Sequence, residues 1–362
     1  MPAPVDAAFW RGRRVFLTGH TGFKGSWLAL WLRELGAQVV GYSEPPPTSP
    51  SLFEACAVAH GLEHVEGDIR DVSAVSRALA TARPEVVIHL AAQALVRQSY
   101  EDPVGTFATN VMGTVHLLQA VRHSAPEARA VLCVTSDKCY ENREWLWGYR
   151  EDEPLGGHDP YSASKASAEL VTSAYRRSWF ANGAIGVASA RSGNVIGGGD
   201  WARDRLAVDA VTAFQGGTPL RLRNPDAIRP WQHVLEPLAG YLRLCERLAE
   251  APGAFSEAWN FGPQGEPAAV KHVADRLAAL WGKGALWEQD PDAHPHEARS
   301  LALDCHKALV RLQWRPRWSL ERALSATTDW YRSYFEDPRS ILDFTLRQIA
   351  EYQASPPLQA AS

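Results

Sequence analysis

The sequence predicts an α/β protein: a doubly wound parallel sheet joined to a smaller C-terminal lobe. Three observations carry that expectation. Short β-branched runs alternate with helix-length stretches through the first half of the chain. A glycine triplet stands where the first such run gives way to the first such stretch. After about residue 193 the alternation loosens into segments mixing Gly, Pro, Arg and Trp.

The β-branched runs, in order, are RVFLTG, AQVVGYS, EVVIHLAA, AVLCVTS and AIGVASARSGNV. Between them lie KGSWLALWLREL, DVSAVSRALATA, DPVGTFATNVMGTVHLLQAVR and YSASKASAELVTSAYRRSWF, which read as helices. Further on, VLEPLAGYLRLCERLAE reads as an amphipathic helix and EAWNFGP as a strand, so the chain returns to the sheet once more. This divides it into a dinucleotide-binding domain, 1–192 with 228–262, and a second lobe, 193–227 with 263–340. A tail follows at 341–362, its ASPPLQAAS end expected to be disordered.

Bulk properties narrow the function. The chain has 362 residues, 46% hydrophobic and 22% charged, as a soluble enzyme would. A formal charge of -4 provides no positive field to recruit nucleic acid or an anionic membrane. No apolar run approaches the roughly 20 residues that cross a bilayer, and the N-terminus lacks a signal-peptide core. The five cysteines, at 56, 133, 139, 245 and 305, are odd in number and form no CxxC pair. Free thiols in a reducing cytoplasm are expected. Fourteen tryptophans are expected to serve packing. His294, His296 and Glu297 are too loosely spaced around a proline to suggest a metal.

Gly19, Gly22 and Gly25 follow a strand and open a helix. That context suits a dinucleotide pyrophosphate: glycines let the backbone approach, and the helix N-terminus supplies N–H groups and a favourable dipole. The fold expected is therefore Rossmann-type. At the end of the second strand Ser43 and Glu44 stand where an aspartate is usual, and Lys24 could meet a 2′-phosphate, so NAD and NADP stay open here. Asp68 and Ile69 are candidates to hold an adenine. The small residues of HLAAQ permit close passage under a cofactor.

Tyr161 and Lys165 lie four apart at the start of a helix, on one face. An ammonium there can lower the phenol's pKa and leave a base for a hydroxyl proton. Arg205, Arg221 and Arg229 are candidates for a substrate's phosphates.

TGxxGxxG, the strand-end Ser/Thr and YxxxK together resemble the extended short-chain dehydrogenase/reductases that act on nucleotide-sugars, over about residues 10 to 335. Among these, sugar-nucleotide 4,6-dehydratases follow the Ser/Thr with Asp-Glu. Here the run is Ser136-Asp137-Lys138, which is similar to members acting on CDP-glucose. FWRGRRVFLTGHTGFKGSWL, SDKCYEN, SGNVIGGGDWARDRL and HEARSLALD are similar to that group as well.

The resemblance implies a lyase that uses NAD to turn CDP-glucose into CDP-4-dehydro-6-deoxyglucose and water. It implies catalytic roles for Thr135 or Ser136, Asp137, Lys138, Tyr161 and Lys165. Lys138 could be the C5 base if neutral, or a salt-bridge partner of Asp137. Cofactor contacts are implied for Gly19, His20, Thr21, Gly22, Phe23, Lys24, Gly25, Asp68, Ile69, Ala91, Ala92 and Thr135. Substrate contacts are implied for Gln93, Asn194, Arg205, Arg221 and Arg229. A homodimer or homotetramer is implied through the helices at 103–123 and 161–180. The rival readings are a nucleotide-sugar 4-epimerase, which needs no Asp137, a 4,6-dehydratase acting on another nucleotide-sugar, and a non-catalytic dinucleotide sensor.

Overall fold

The computed structural model describes residues 5–265, 267–292 and 298–359. Seven parallel strands form one sheet: β1 (Arg14–Thr18), β2 (Gln38–Ser43), β3 (Glu63–Glu66), β4 (Val86–His89), β5 (Ala130–Val134), β6 (Gly186–Arg191) and β7 (Ala258–Asn260). Their spatial order is β7-β6-β5-β4-β1-β2-β3. The direction of winding reverses between β1 and β4. The crevice at that switch, beyond the carboxyl ends of the strands, is where an α/β sheet receives ligands.

Helices cover both faces: α1 (Phe23–Glu34), α2 (Val72–Ala82), α3 (Gly113–Ser124), α4 (Pro160–Ser178), α5 (Leu206–Gln215), α6 (Leu235–Glu250), α7 (Val270–Trp281), α8 (Leu320–Glu336) and α9 (Ile341–Ala354). The period-2 geometry of the strands divides the core. Val15, Leu17, Val86, Ile88 and Leu132 pack on one face with Trp27 and Trp31 of α1. Phe16, Val87 and Val131 pack on the other with Val75, Leu79, Leu117 and Leu118 of α2 and α3. Each such side chain contributes about 1.5–3 kcal/mol relative to exposure. The tryptophans follow suit, with Trp10, Trp27, Trp31, Trp259 and Trp330 fully buried.

After β6 the chain leaves the sheet. It forms α5, α7 and α8 together with short strand pairs such as Leu220–Leu222 with Trp287–Gln289. No helix among the described residues is long and apolar enough to cross a membrane.

Three features depart from the sequence reading. β3 is an extra edge strand, EHVE, too polar to show periodicity. The helix expected at 103–123 is broken into Pro103–Phe107, a π-helical turn at Ala108–Met112, and α3. The segment from 341 begins with α9 and is no loose tail. Ile341, Ile349 and Tyr352 of α9 are buried. Tyr352 donates its hydroxyl to Glu236 Oε2 at 2.7 Å, while Glu236 Oε1 accepts the N–H groups of Arg317 and Trp318 at 2.9 and 2.7 Å. His294, His296 and Glu297 lie outside the described residues.

Candidate active site

A cleft of about 1380 Å³ runs along the strand ends, between the sheet and the second lobe. Single-ligand pockets span about 300–1,000 Å³, so this one has room for two ligands. All the residues singled out from the sequence line it except His20 and Asp68.

At one end is the glycine turn. Gly19 has φ 75°, and a Cβ there would stand 2.6 Å from Ala91 N. A Cβ on Gly25 would come within 2.0 Å of Gly19 O. At Gly22 it would meet only Gly19 O, at 3.5 Å. Gly22 is the N-cap of α1 and contributes no side-chain cap, so N–H groups of the first turn remain for a ligand. That cradle fits a pyrophosphate.

Two neighbours of the turn behave differently from their expected roles. His20 faces inward. Its Nε2 meets His64 Nδ1 at 2.7 Å, and its ring lies against Gly41, where a Cβ would be 2.5 Å from Cγ. Burial, then the charge of His64, pushes its pKa down to about 4. Asp68 accepts from the Arg70 guanidinium, with Nε to Oδ2 at 2.8 Å, and its backbone carbonyl accepts from Tyr42. His20 therefore supports the cofactor end from behind, where the sequence reading had it touching cofactor; Asp68 remains partly exposed between Gly67 and Ile69 of the cleft lining.

Lys24 also departs from expectation. Its Nζ donates to Ser192 Oγ at 3.1 Å, at the end of β6. It therefore points along the cleft toward the sugar end, away from Ser43 and Glu44, and is not set to meet a 2′-phosphate.

At the other end, the 3-10 turn Asp137–Cys139 is capped by Ser136, whose Oγ accepts from Lys138 N at 3.2 Å. Ser136 Oγ also bonds Asp137 Oδ1 at 3.0 Å and the Tyr161 phenol. The Thr135 hydroxyl is turned inward to Glu169 Oε1, at 2.5 Å. Of the two hydroxyls left open by the sequence, Ser136 is the one facing the tyrosine. Asp137 Oδ2 is buried without a hydrogen-bond partner. It rests over Gly193, where a Cβ would be 1.7 Å away.

Tyr161 and Lys165 are delivered by the first turns of α4. Asp159 caps that helix by accepting from Ser162 N at 2.9 Å, and Pro160 occupies its first position. Burial raises the Tyr161 pKa, against lowering influences from the Ser136 bond and Arg205. Lys165 is itself pushed down to about 8, chiefly by burial. Desolvation of the phenol thus outweighs those lowering influences. Behind the pair, Glu169 joins Arg191 at 2.8 Å and accepts from Ser189 Oγ at 2.6 Å. This fully buried network ties α4 to β5 and β6.

The substrate-side candidates fall into two groups. Arg205 donates to Ala94 O at 3.2 Å, and its Nε is buried with no partner. Arg229 is buried, with Nη1 donating to Ile228 O at 2.9 Å. Asn194 adopts φ 35°, a left-handed turn at the cleft. By contrast, Arg221 is 67% exposed and pairs with Glu288 at 3.2 Å. The Gln93 amide is committed to Leu95 O and Thr106 Oγ1, at 3.0 and 2.9 Å, so it shapes the loop. Sequence reasoning missed Ser192, Gly193, Asp200 and Tyr241 around Asp137; the glycine in RSGNV was the available signal.

The family model for GDP-mannose 4,6 dehydratase matches residues 16–327. The chain belongs to that family, among the extended short-chain dehydrogenase/reductases. It is 51% identical, over 97% of its length and 99% of the relative's, to a CDP-glucose 4,6-dehydratase of Salmonella typhimurium. Among solved structures it resembles the epimerase Mth375 of Methanothermobacter thermautotrophicus, with TM-score 0.80, 23% identity, and coverage of 93% and 97% of the two chains. It also resembles a dTDP-glucose 4,6-dehydratase from Streptomyces venezuelae with NAD bound, with TM-score 0.74, 25% identity, and coverage of 88% and 97%.

Proposed function

We propose that this chain is a lyase that converts CDP-D-glucose to CDP-4-dehydro-6-deoxy-D-glucose and water, with NAD as its resident cofactor. The observation that carries the reading is one arrangement. Tyr161, Lys165, Ser136 and Asp137 all line one cleft at the strand ends, where Ser136 Oγ bonds Asp137 Oδ1 at 3.0 Å and lies beside the Tyr161 phenol. The 51% identity to a CDP-glucose 4,6-dehydratase supports the choice of substrate.

NAD, when bound, would supply the hydride chemistry: acceptance of the C4 hydride and its return to C6. The chain's residues do the rest. Tyr161, oriented by Ser136, takes the proton of the C4 hydroxyl, and the Lys165 charge supports the phenolate. The resulting 4-ketone acidifies the C5 hydrogen. Lys138, in its neutral form, takes that proton. The electron pair of the C5–H bond becomes the C5–C6 double bond, Asp137 gives its proton to the C6 oxygen, and water departs; once C6 has been reduced, C5 takes its proton back from the Lys138 ammonium.

The uncapped N-terminus of α1 with Gly19, Thr21, Gly22, Phe23 and Gly25 holds the cofactor's pyrophosphate, with Ile69, Ala91 and Ala92 alongside. Glu44 at the end of β2, with Lys24 turned away, favours NAD over NADP. Arg205 and Arg229 take the sugar-nucleotide's diphosphate, within a lobe formed by 193–227 and 263–340. Val104, Phe107, Met112, Leu170 and Trp179 leave an exposed apolar face across the 103–112 segment and α4; a second copy covers it in a homodimer. Five free thiols fit a reducing cytoplasm.

The test is incubation of the purified protein with CDP-, dTDP-, GDP- and UDP-glucose, with product analysis by mass. Loss of one water from the CDP-sugar is expected, and Tyr161→Phe lowers that rate about 10²- to 10⁴-fold while the protein stays folded. Sugar interconversion without water loss would mean a 4-epimerase instead.

A further inference from the structure

Lys24 has no part in the mechanism above, yet its side chain ends inside the reaction centre. Its Nζ donates to Ser192 Oγ at 3.1 Å, and Ser192 Oγ bonds the Tyr241 hydroxyl at 2.6 Å. The carbonyl of the same Ser192 accepts the N–H of Asp137 at 3.4 Å. Lys24 and Asp137 therefore share one support. The groups that act electrostatically on the ammonium are Arg205 and Lys165, which disfavour its charge, and Asp137 and Asp200, which favour it. An ammonium held in a half-buried cleft is favoured by an anion nearby. Asp137 supplies one, with an oxygen, Oδ2, that is buried and has no hydrogen-bond partner. The acidic group with a stated task in the reaction is thus electrostatically linked to a lysine from the glycine turn.

We propose that Lys24 is a positioning residue for the dehydration step, its charge stabilising the carboxylate that Asp137 becomes as its proton passes to the departing C6 oxygen. This rests on the dehydratase reading. The influence is mutual: the anion favours the lysine's charge as the lysine favours the anion. Burial, aided by Arg205, holds the Lys24 pKa down at about 7. Its support is therefore present below neutrality and fades above it. Lys138, the C5 base proposed above, acts in the same step, so variants at position 24 are needed to separate the two.

The experiment follows a single turnover of CDP-glucose by NADH absorbance, whose rise reports C4 oxidation and whose decay reports passage through dehydration. Lys24→Met is expected to slow the decay about 10- to 100-fold and leave the rise within about threefold. Lys24→Arg, which keeps its charge, is expected to decay at the parent's rate at low pH and to escape the parent's decline above neutrality. Lys24→Met with Asp137→Asn is expected to decay no more slowly than Asp137→Asn alone. A readout independent of turnover is competitive labelling of the Lys24 amine against pH in the protein without sugar. Its inflection should fall to lower pH in Asp137→Asn.

Equal slowing of rise and decay with loss of bound NAD would make Lys24 a cofactor-holding group and overturn the proposal. Additive losses in the double variant, or a labelling inflection unmoved by Asp137→Asn, would do the same. If the parent protein releases no water from CDP-glucose, the dehydratase reading itself fails, and the labelling still decides whether the two groups are coupled.

Discussion

The two walls of the cleft are made of different material. At the glycine turn, backbone packs on backbone: Gly19 lies against Ala91, and Gly25 against Gly19 O. Across from it, the 193–229 loops offer side chains, held by tethers such as Arg205 to Ala94 O and Arg221 to Glu288. A wall of packed main chain has no slack, so it suits a group of fixed shape. A wall of arginines can be retuned one residue at a time, and sugar-nucleotides differ in their base and sugar while sharing a diphosphate. Change in the first wall should be all-or-none, and change in the second graded.

That contrast can be broken most severely at Gly25. Gly25→Ala puts a carbon where the nearest atom is Gly19 O at 2.0 Å, so the turn must move. Activity should fall by at least about 100-fold, with bound NAD lost on gel filtration. Retention of NAD and activity would show the backbone wall to be pliable.

Acid attacks the same wall through His20. Its pKa is near 4 in the fold against 6.5 when free, so the unfolded chain binds the extra proton between those values. Stability is then highest above about pH 6.5 and declines as pH falls toward 4, by about 3 kcal/mol for this group. His89 and His233, both buried and pushed down to about 3, act in the same sense. Melting curves from pH 7 to 4 should show the decline, and His20→Gln should flatten part of it. A parallel decline in that variant would acquit His20.

The arginine wall should respond more mildly. Arg205→Ala is expected to raise KM for the sugar-nucleotide about tenfold and leave the melting temperature near the parent value. Arg221→Ala should change KM by less than about threefold, because an exposed ion pair contributes little. If Arg221 proves the larger of the two, the diphosphate lies farther out than the buried Arg205 Nε indicates.

The same contrast governs what could be read in the sequence. Buried parallel strands announce themselves as β-branched runs, so β1, β2, β4, β5 and β6 were legible that way; β7, Ala-Trp-Asn, has no β-branched residue and was legible only as the EAWNFGP segment after an amphipathic helix. The edge strand β3 carries Glu63, His64 and Glu66 and announces nothing. Tyr161, Lys165, Asp137 and the glycines were legible because their spacing is itself the chemistry. Directions of side chains were not. Lys24 sits in a phosphate turn by sequence yet ends at Ser192, and His20 braces from behind. Gln93 looked like a ligand group but satisfies its own loop. Such choices depend on which partners lie within reach after folding, which no local pattern encodes. The segment 341–354 was misjudged for a related reason: its Pro-rich end looked loose, while its anchor, Glu236, lies more than a hundred residues upstream.

That anchor bears on how this chain tolerates shortening. The Tyr352 hydroxyl is one of the donors that keep the Glu236 carboxylate satisfied inside the protein. Ending translation before residue 352 would strand an acid in the interior and undo the α6 face on which the sheet rests. A premature stop before that codon would act like a lesion at the heart of the molecule.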